Sequence, residues 1–194
     1  IEDFLTMGLL PNIEGIYRDD LMKIAGRNIV ETNVDAVLLS HAHSDHADYI
    51  SFLHEKIPIY MGKTCHLILQ ALEERSNRNL EREILSYKKR PYNNKDEPIK
   101  RKIVSFRTGD KFQIGSLEIE PIHVDHSVPG AYGFMIYTSE GPIAYTGDLR
   151  LHGTAPELTQ DFIEKAKFEK PVALIIEGTR IGEEEKDESE ELVF

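Results

Sequence analysis

Residues 34–46 read Val-Asp-Ala-Val-Leu-Leu-Ser-His-Ala-His-Ser-Asp-His, an apolar run delivered directly into four side chains that can bind a metal. The run 34–40 is short and rich in valine and leucine, as a buried strand requires. His41, His43, Asp45 and His46 are therefore expected on the loop at its end. His41 and His43 are two apart, and an extended chain sends alternate side chains the same way. Asp45 and His46 can then face a second ion, and small Ala42 and Ser44 leave room for close packing. With 8 histidines in 194 residues, three histidines and an aspartate in six positions depart far from chance placement. The bland alternative is a hydrogen-bonded surface cluster.

Outward from this motif, residues 47–55 have helical spacing and residues 57–61 read as a second strand, completing a β-loop-α-β unit. Thr64 is a candidate N-cap for a helix over 65–75, and a polar stretch without clear period follows to about Lys102. From there the period is two: strands are expected at 103–107, 111–114, 117–124, 132–138 and 143–146, joined by glycine-containing turns. Pro156 opens an amphipathic helix to about Phe168, and 172–176 is a last apolar strand running into Glu177-Gly178-Thr179-Arg180. Strand-rich halves with helices outside predict an α/β layered sandwich. No G-x-G-x-x-G or G-x-x-x-x-G-K follows a strand, which argues against a doubly wound nucleotide fold.

Composition bounds the partners. The chain is 40% hydrophobic and 29% charged, with a net charge of −11, so its surface as a whole cannot act as the basic sheath of a nonspecific nucleic-acid binder. Residues 183–191 contribute −6, whereas residues 87–102 carry +5. That basic stretch, with Lys88, Lys89, Arg90, Lys100, Arg101 and Lys102, is the expected phosphate contact if a polyanion is bound; its bland reading is a solvated loop. Cys65, the single cysteine, excludes an internal disulfide and a four-thiolate site and reads as a small core residue. No run approaches a membrane span and no signal peptide opens the chain, so a cytoplasmic protein without membrane contact is expected. No signal for oligomeric state is present.

The HAHSDH loop resembles that of the metallo-β-lactamase superfamily, H-x-H-x-D-H after a buried strand. His126, in Asp125-His126-Ser127-Val128-Pro129-Gly130, stands 80 residues beyond His46 where that family places a third histidine. Asp148, in Tyr145-Thr146-Gly147-Asp148, follows 22 residues later and matches the bridging carboxylate. His-Ser-Val-Pro and Glu177-Gly178-Thr179 are similar to the β-CASP, ribonuclease J-like branch of nucleic-acid-processing enzymes. The resemblance implies a four-layer αββα sandwich and two divalent metal ions, zinc or alternatively manganese. His41, His43 and His126 would hold the first ion, Asp45 and His46 the second, with Asp148 bridging. Asp45 would orient or deprotonate the attacking water, and Glu177 would be a further site acid. Two such ions lower the pKa of a bound water and clamp the oxygens of an in-line displacement.

The function implied is hydrolysis of RNA, or of DNA, at phosphodiester bonds by a metal-bound hydroxide, with RNA or single-stranded nucleic acid as partner. Small-molecule hydrolysis of a thioester, lactone or phosphate ester on the same fold is the alternative, and a silent binding domain a third. His123 is expected to support the ligands from behind, His54, His66 and His152 to be ordinary residues, and Arg150 and Arg180 to be candidates for phosphate contact; Asp3 is a weak match to an early family aspartate. The β-CASP pattern continues with a capping domain and further histidines, which this sequence does not contain. Residues 1–182 accordingly read as a catalytic domain incomplete at both ends, and 183–194 as an acidic segment opening a cap.

Overall fold

A computed structural model describes residues 1–75, 79–91, 95–179 and 181–182; Arg180 and the segment 183–194 lie outside the described residues. In chain order the elements are α1 (Glu2–Thr6), α2 (Asp19–Ile24), β1 (Val37–Leu39), α3 (Ser44–Ala47) with a 3-10 turn at Asp48–Phe52, β2 (Ile59–Gly62), α4 (Lys63–Arg75), a 3-10 turn at Leu80–Arg82, β3 (Ser86–Tyr87), β4 (Ile99–Lys100), β5 (Ile103–Phe106), β6 (Phe112–Ile114), β7 (Leu117–Val124), β8 (Ala131–Thr138), β9 (Gly141–Tyr145), α5 (Pro156–Glu169) and β10 (Ala173–Ile175). The α/β class expected from the sequence is observed. Contacts divide the described residues into one unit within Ile1–Leu39, His43–Tyr60 and Leu67–Val104, and a second within Ser40–Ala42, Met61–His66 and the described residues from Ser105 onward. Among the described residues no helix is long and apolar enough to cross a membrane.

The second unit is built on a five-stranded sheet of order β10-β9-β8-β7-β6. β7, β8 and β9 pair antiparallel, with Val124 opposite Ala131 and Phe134 opposite Tyr145. Alternation sorts their side chains. Ala131 and Met135 join Ile122, Val124, Ala144 and Phe162 of α5 in a core cluster. Tyr132 and Phe134 turn to the opposite face and meet Phe106 edge-on at 5.1 and 5.7 Å between ring centroids. Pro156 stands in the first turn of α5, where its missing N–H costs nothing. β10 is the parallel edge strand, and its Leu174 and Ile175 stay exposed.

In the first unit Leu5, Leu10, Tyr17, Leu21 and Phe52 form the apolar cluster. The helix expected over 47–55 is instead the short α3 followed by a 3-10 turn, because Leu53 adopts an extended backbone to bridge Tyr17. Beside them lies a buried ionic network. Arg18, 0% exposed, donates to both carboxylate oxygens of Asp20 at 3.0 and 2.7 Å, to Glu83 Oε2 at 2.9 Å and to the carbonyls of Ser51 and Lys88. Arg101 donates to the carbonyls of Leu53 and Ser51, and the Tyr87 ring lies 4.1 Å from the Arg18 guanidinium and 5.0 Å from that of Arg101.

This network corrects the reading of residues 87–102 as one phosphate patch. Lys88 and Arg101 are buried, and Arg90 donates to Glu83 Oε1 at 3.1 Å. Lys89 pairs with Glu55 at 3.7 Å, while Lys100 and Lys102 remain exposed. Arg90 and Arg101 are thus committed to internal carboxylates and carbonyls and Lys88 is buried; for Arg101 the partners, the Leu53 and Ser51 carbonyls, lie far away in sequence, where no local pattern could reveal them. Cys65 is fully buried, and burial pushes its thiol up to about 12.

Burial opposes ionisation of Asp20, but the bonds from Arg18 and the Arg90 amide outweigh it and hold the carboxyl below its ordinary value of 3.8. A depressed carboxyl contributes stability that is present above its unfolded pKa and lost as pH falls through the folded one. Arg18→Ala should cost about 3–5 kcal/mol by leaving the buried Asp20 carboxylate without a cation and Glu83 with Arg90 alone. Urea unfolding at neutral pH measures this, and the same substitution should flatten the loss of stability seen on acidification below the ordinary carboxylate range; a change under 1 kcal/mol (roughly the worth of a surface pair) would show that the network carries little.

Candidate metal centre

Ser40 and His41 follow β1. His41 is 0% exposed, and its Nδ1 shares a 3.0 Å hydrogen bond with Ser40 Oγ, which fixes the ring and presents Nε2 to the site. The Ser40 carbonyl accepts from Tyr132 N at 3.0 Å, fastening this loop to the start of β8. His126 follows Val124-Asp125 at the end of β7, and Asp148 follows β9 through Thr146-Gly147. Gly147 has φ +56, and a Cβ there would sit 2.8 Å from the Tyr132 carbonyl and 3.0 Å from Ser40 Cβ. Only glycine meets both demands, and this turn aims Asp148 inward.

His41 Nε2 and His126 Nε2 lie 3.7 and 3.6 Å from the same Asp148 Oδ2, and the two rings meet edge-on at 4.7 Å. His43, two residues beyond His41, completes the group: one ligand atom from each of His41, His43, His126 and Asp148 lies within 4.8 Å of the others. Donors placed tetrahedrally at ~2.0–2.1 Å from zinc stand about 3.3 Å apart. Three imidazoles and a carboxylate at these separations fit such an ion after small side-chain adjustment.

Asp45 and His46 do not join this group of four. His43 is the last extended residue; its carbonyl accepts from the amides of His46 and Ala47, so Asp45 and His46 start α3. They pair with each other at 3.7 Å, with the Asp45 side chain 76% exposed. Asp45 lines a cavity of about 330 Å³ with Asp48, Glu81 and the rings of Phe4, Tyr49 and Phe52. Burial and the neighbouring Glu81 and Asp45 carboxylates raise the Asp48 carboxyl, against the pull of Arg82.

Glu177 accepts from Leu149 N at 3.4 Å and from Thr179 N at 3.1 Å, while its own amide donates to Thr146 Oγ1. Its partial burial disfavours the charge, but the bonds from Thr179 and Leu149 and the nearby His126 prevail and keep the carboxyl below the usual range. Glu177 thus holds both sides of the Asp148 turn. His123 stacks on Tyr132 at 4.9 Å, and burial lowers its pKa against the opposing effect of Asp125. It lines a cavity of about 390 Å³ with Asp125, His126, Ser127, Arg150 and Thr154.

Arg150, expected as a phosphate contact, instead donates to the Asp125 carboxylate at 3.2 and 3.4 Å. The sequence did offer a signal for this pair: an acid directly before His126 and an arginine two after Asp148. Ser40 carries no mark of its role in the sequence beyond directly preceding His41. His54 is paired with Asp19, His66 shares a hydrogen bond with Ser105, His152 is exposed, and Asp3 is an exposed residue of α1.

A family model described as "Beta-lactamase superfamily domain" matches residues 20–190. Among curated relatives, ribonuclease J of Sinorhizobium meliloti is 26% identical over 121 residues, covering 61% of this chain and 18% of that protein. Ribonuclease J of Mycoplasma genitalium is 27% identical over 143 residues, covering 68% and 22%. The chain therefore spans about a fifth of the length of these relatives. A crystal structure of a protein of unknown function from Enterococcus faecalis V583 superposes with a TM-score of 0.70 at 28% identity, covering 95% of this chain and 41% of that one. On the family match, with the α/β fold and the His/Asp group in accord, the chain belongs to the beta-lactamase superfamily, in its metallo-β-lactamase fold, and within it is similar to the ribonuclease J branch.

Proposed function

We propose that the chain carries the catalytic site of a ribonuclease J-like metallohydrolase acting on RNA phosphodiester bonds. The convergence of His41, His43, His126 and Asp148 carries this reading, and the likeness to ribonuclease J gives it a substrate class. His41, His43 and His126 would hold one divalent ion, zinc or alternatively manganese, with Asp148 as the carboxylate shared with a second ion at Asp45 and His46. When bound, such ions acidify water and neutralise charge on a phosphoryl group.

The remaining work falls to the chain. Ser40 holds the His41 ring. Asp45, well exposed, accepts the proton of an attacking water at a carboxylate oxygen. Glu177 holds the peptide after Asp148 so that the shared carboxylate keeps its direction. A cytoplasmic setting belongs to the same reading, since one buried thiol suits a reducing compartment. The small-molecule alternative gains from the burial of Lys88 and Arg101 and the pairing of Arg90, which withdraw much of the phosphate patch that favoured nucleic acid.

Two measurements test the proposal. Zinc titration by calorimetry should show at least one tight site per chain, with affinity lowered at least tenfold by His126→Ala or Asp148→Asn, on the scale of losing a direct ligand or its support; unaltered binding in both variants would remove the site. An RNA oligonucleotide, a lactone and a thioester, each offered with Zn²⁺ or Mn²⁺, separate the two functions. Metal-dependent RNA cleavage that falls at least a hundredfold in Asp45→Asn, within the range for loss of a positioned proton acceptor, is expected; turnover of the lactone or thioester with intact RNA would establish the alternative.

A further inference from the structure

β7 and β9 are separated by β8. With neighbouring strands ~4.8 Å apart, their ends stand roughly 9.6 Å from each other. Yet the loops leaving those two ends bring His126 Nε2 and Asp148 Oδ2 to 3.6 Å. Flexible loops would hold such a separation poorly, and a tie between them is present. Asp125, directly before His126, accepts from Arg150, two residues after Asp148: Nε to Oδ2 at 3.2 Å and Nη2 to Oδ1 at 3.4 Å. The backbone repeats the link, Arg150 N donating to the Asp125 carbonyl at 2.9 Å. Asp125 N in turn donates to Thr159 Oγ1 of α5 at 3.0 Å, and Thr159 is fully buried. The tie is therefore anchored on the helix behind the sheet.

A second observation singles out the same pair. A Cβ built on Gly153 would fall directly onto Asp125 Oδ2 and Arg150 Nε, so a side chain at residue 153 would have to displace the pair. The Asp125 and Arg150 side chains are 6% and 16% exposed, and the forked guanidinium matches a carboxylate as a lysine could not.

We propose that Asp125 and Arg150 are positioning residues, a clamp across β8 that sets the spacing of His126 and Asp148 and through it the affinity of the site for a divalent ion. The inference rests on the metal-centre reading above. A chelating pair held at its bound separation avoids the ordering cost that loose loops would incur on binding.

Zn²⁺ titration by calorimetry and Co²⁺ absorption spectra on the full chain, with thermal unfolding of the metal-free protein alongside, test the clamp. Arg150→Lys, Asp125→Asn, their double variant and Gly153→Ala are the substitutions. Each single variant should bind Zn²⁺ about tenfold more weakly, the scale on which supporting contacts act at metal sites, and should alter the Co²⁺ bands. The double variant should be no worse than the weaker single one, as expected of residues acting as one unit. Arg150→Lys keeps the charge and Gly153→Ala keeps both partners, so a folded variant remains if Asp125→Asn does not fold. Lowered melting temperatures with unchanged Zn²⁺ affinity and Co²⁺ bands would overturn the clamp and leave the pair a structural one. Absence of Zn²⁺ binding by the unsubstituted chain would overturn the metal-centre reading and the clamp with it.

Discussion

A single carboxylate oxygen, Asp148 Oδ2, sits between two imidazole nitrogens that reach it from different parts of the chain. That meeting imposes demands on everything around it. β7 and β9 must run in the same direction so that their ends open on one side of the sheet, which the antiparallel β7-β8-β9 order secures. The His41 loop must be fastened to β8, which the Tyr132 to Ser40 bond does. The backbone must turn left-handed at Gly147 between two close neighbours. The sheet and turns fix these donors, an instance of a site held by a rigid scaffold.

What could be read in advance divides along the range of the interactions involved. The HAHSDH motif was legible because its residue types are scarce and its spacing is local. β7 to β9 were legible because alternating apolar residues and glycine turns leave a period of two; α5 was announced by Pro156. His126 and Asp148 were assigned by family resemblance, since nothing local marks a single histidine or aspartate as belonging to a site 80 residues away. α1 and α2 escaped notice because each is one or two turns long and held by the Leu5, Tyr17 and Phe52 cluster more than by its own pattern.

The largest misreading concerned charge. In a linear sequence a run such as Lys88-Lys89-Arg90 looks like a solvated face or a phosphate contact. The partners that decide otherwise are supplied by the fold: Glu83 for Arg90, and for Arg101 the Leu53 and Ser51 carbonyls from dozens of residues away. The same applies to Arg150, whose carboxylate partner lies 25 residues upstream. Buried arginines answered by carboxylates and carbonyls on three sides fix how their segments meet, because moving any one of them strands a charge in a poorly solvated place. They order their own segments more than they offer a recognition surface.

β10 has a consequence for handling the chain in solution. Among the described residues it is the edge of its sheet, and Leu174 and Ile175 add apolar surface to that rim. Such an edge is a template on which another strand of any origin can pair. At high concentration such a strand is a segment through which copies of this chain would adhere. A lysine at Leu174 would act as a gatekeeper: its charge would be costly to bring against a second strand, while the pairing with β9 would remain available.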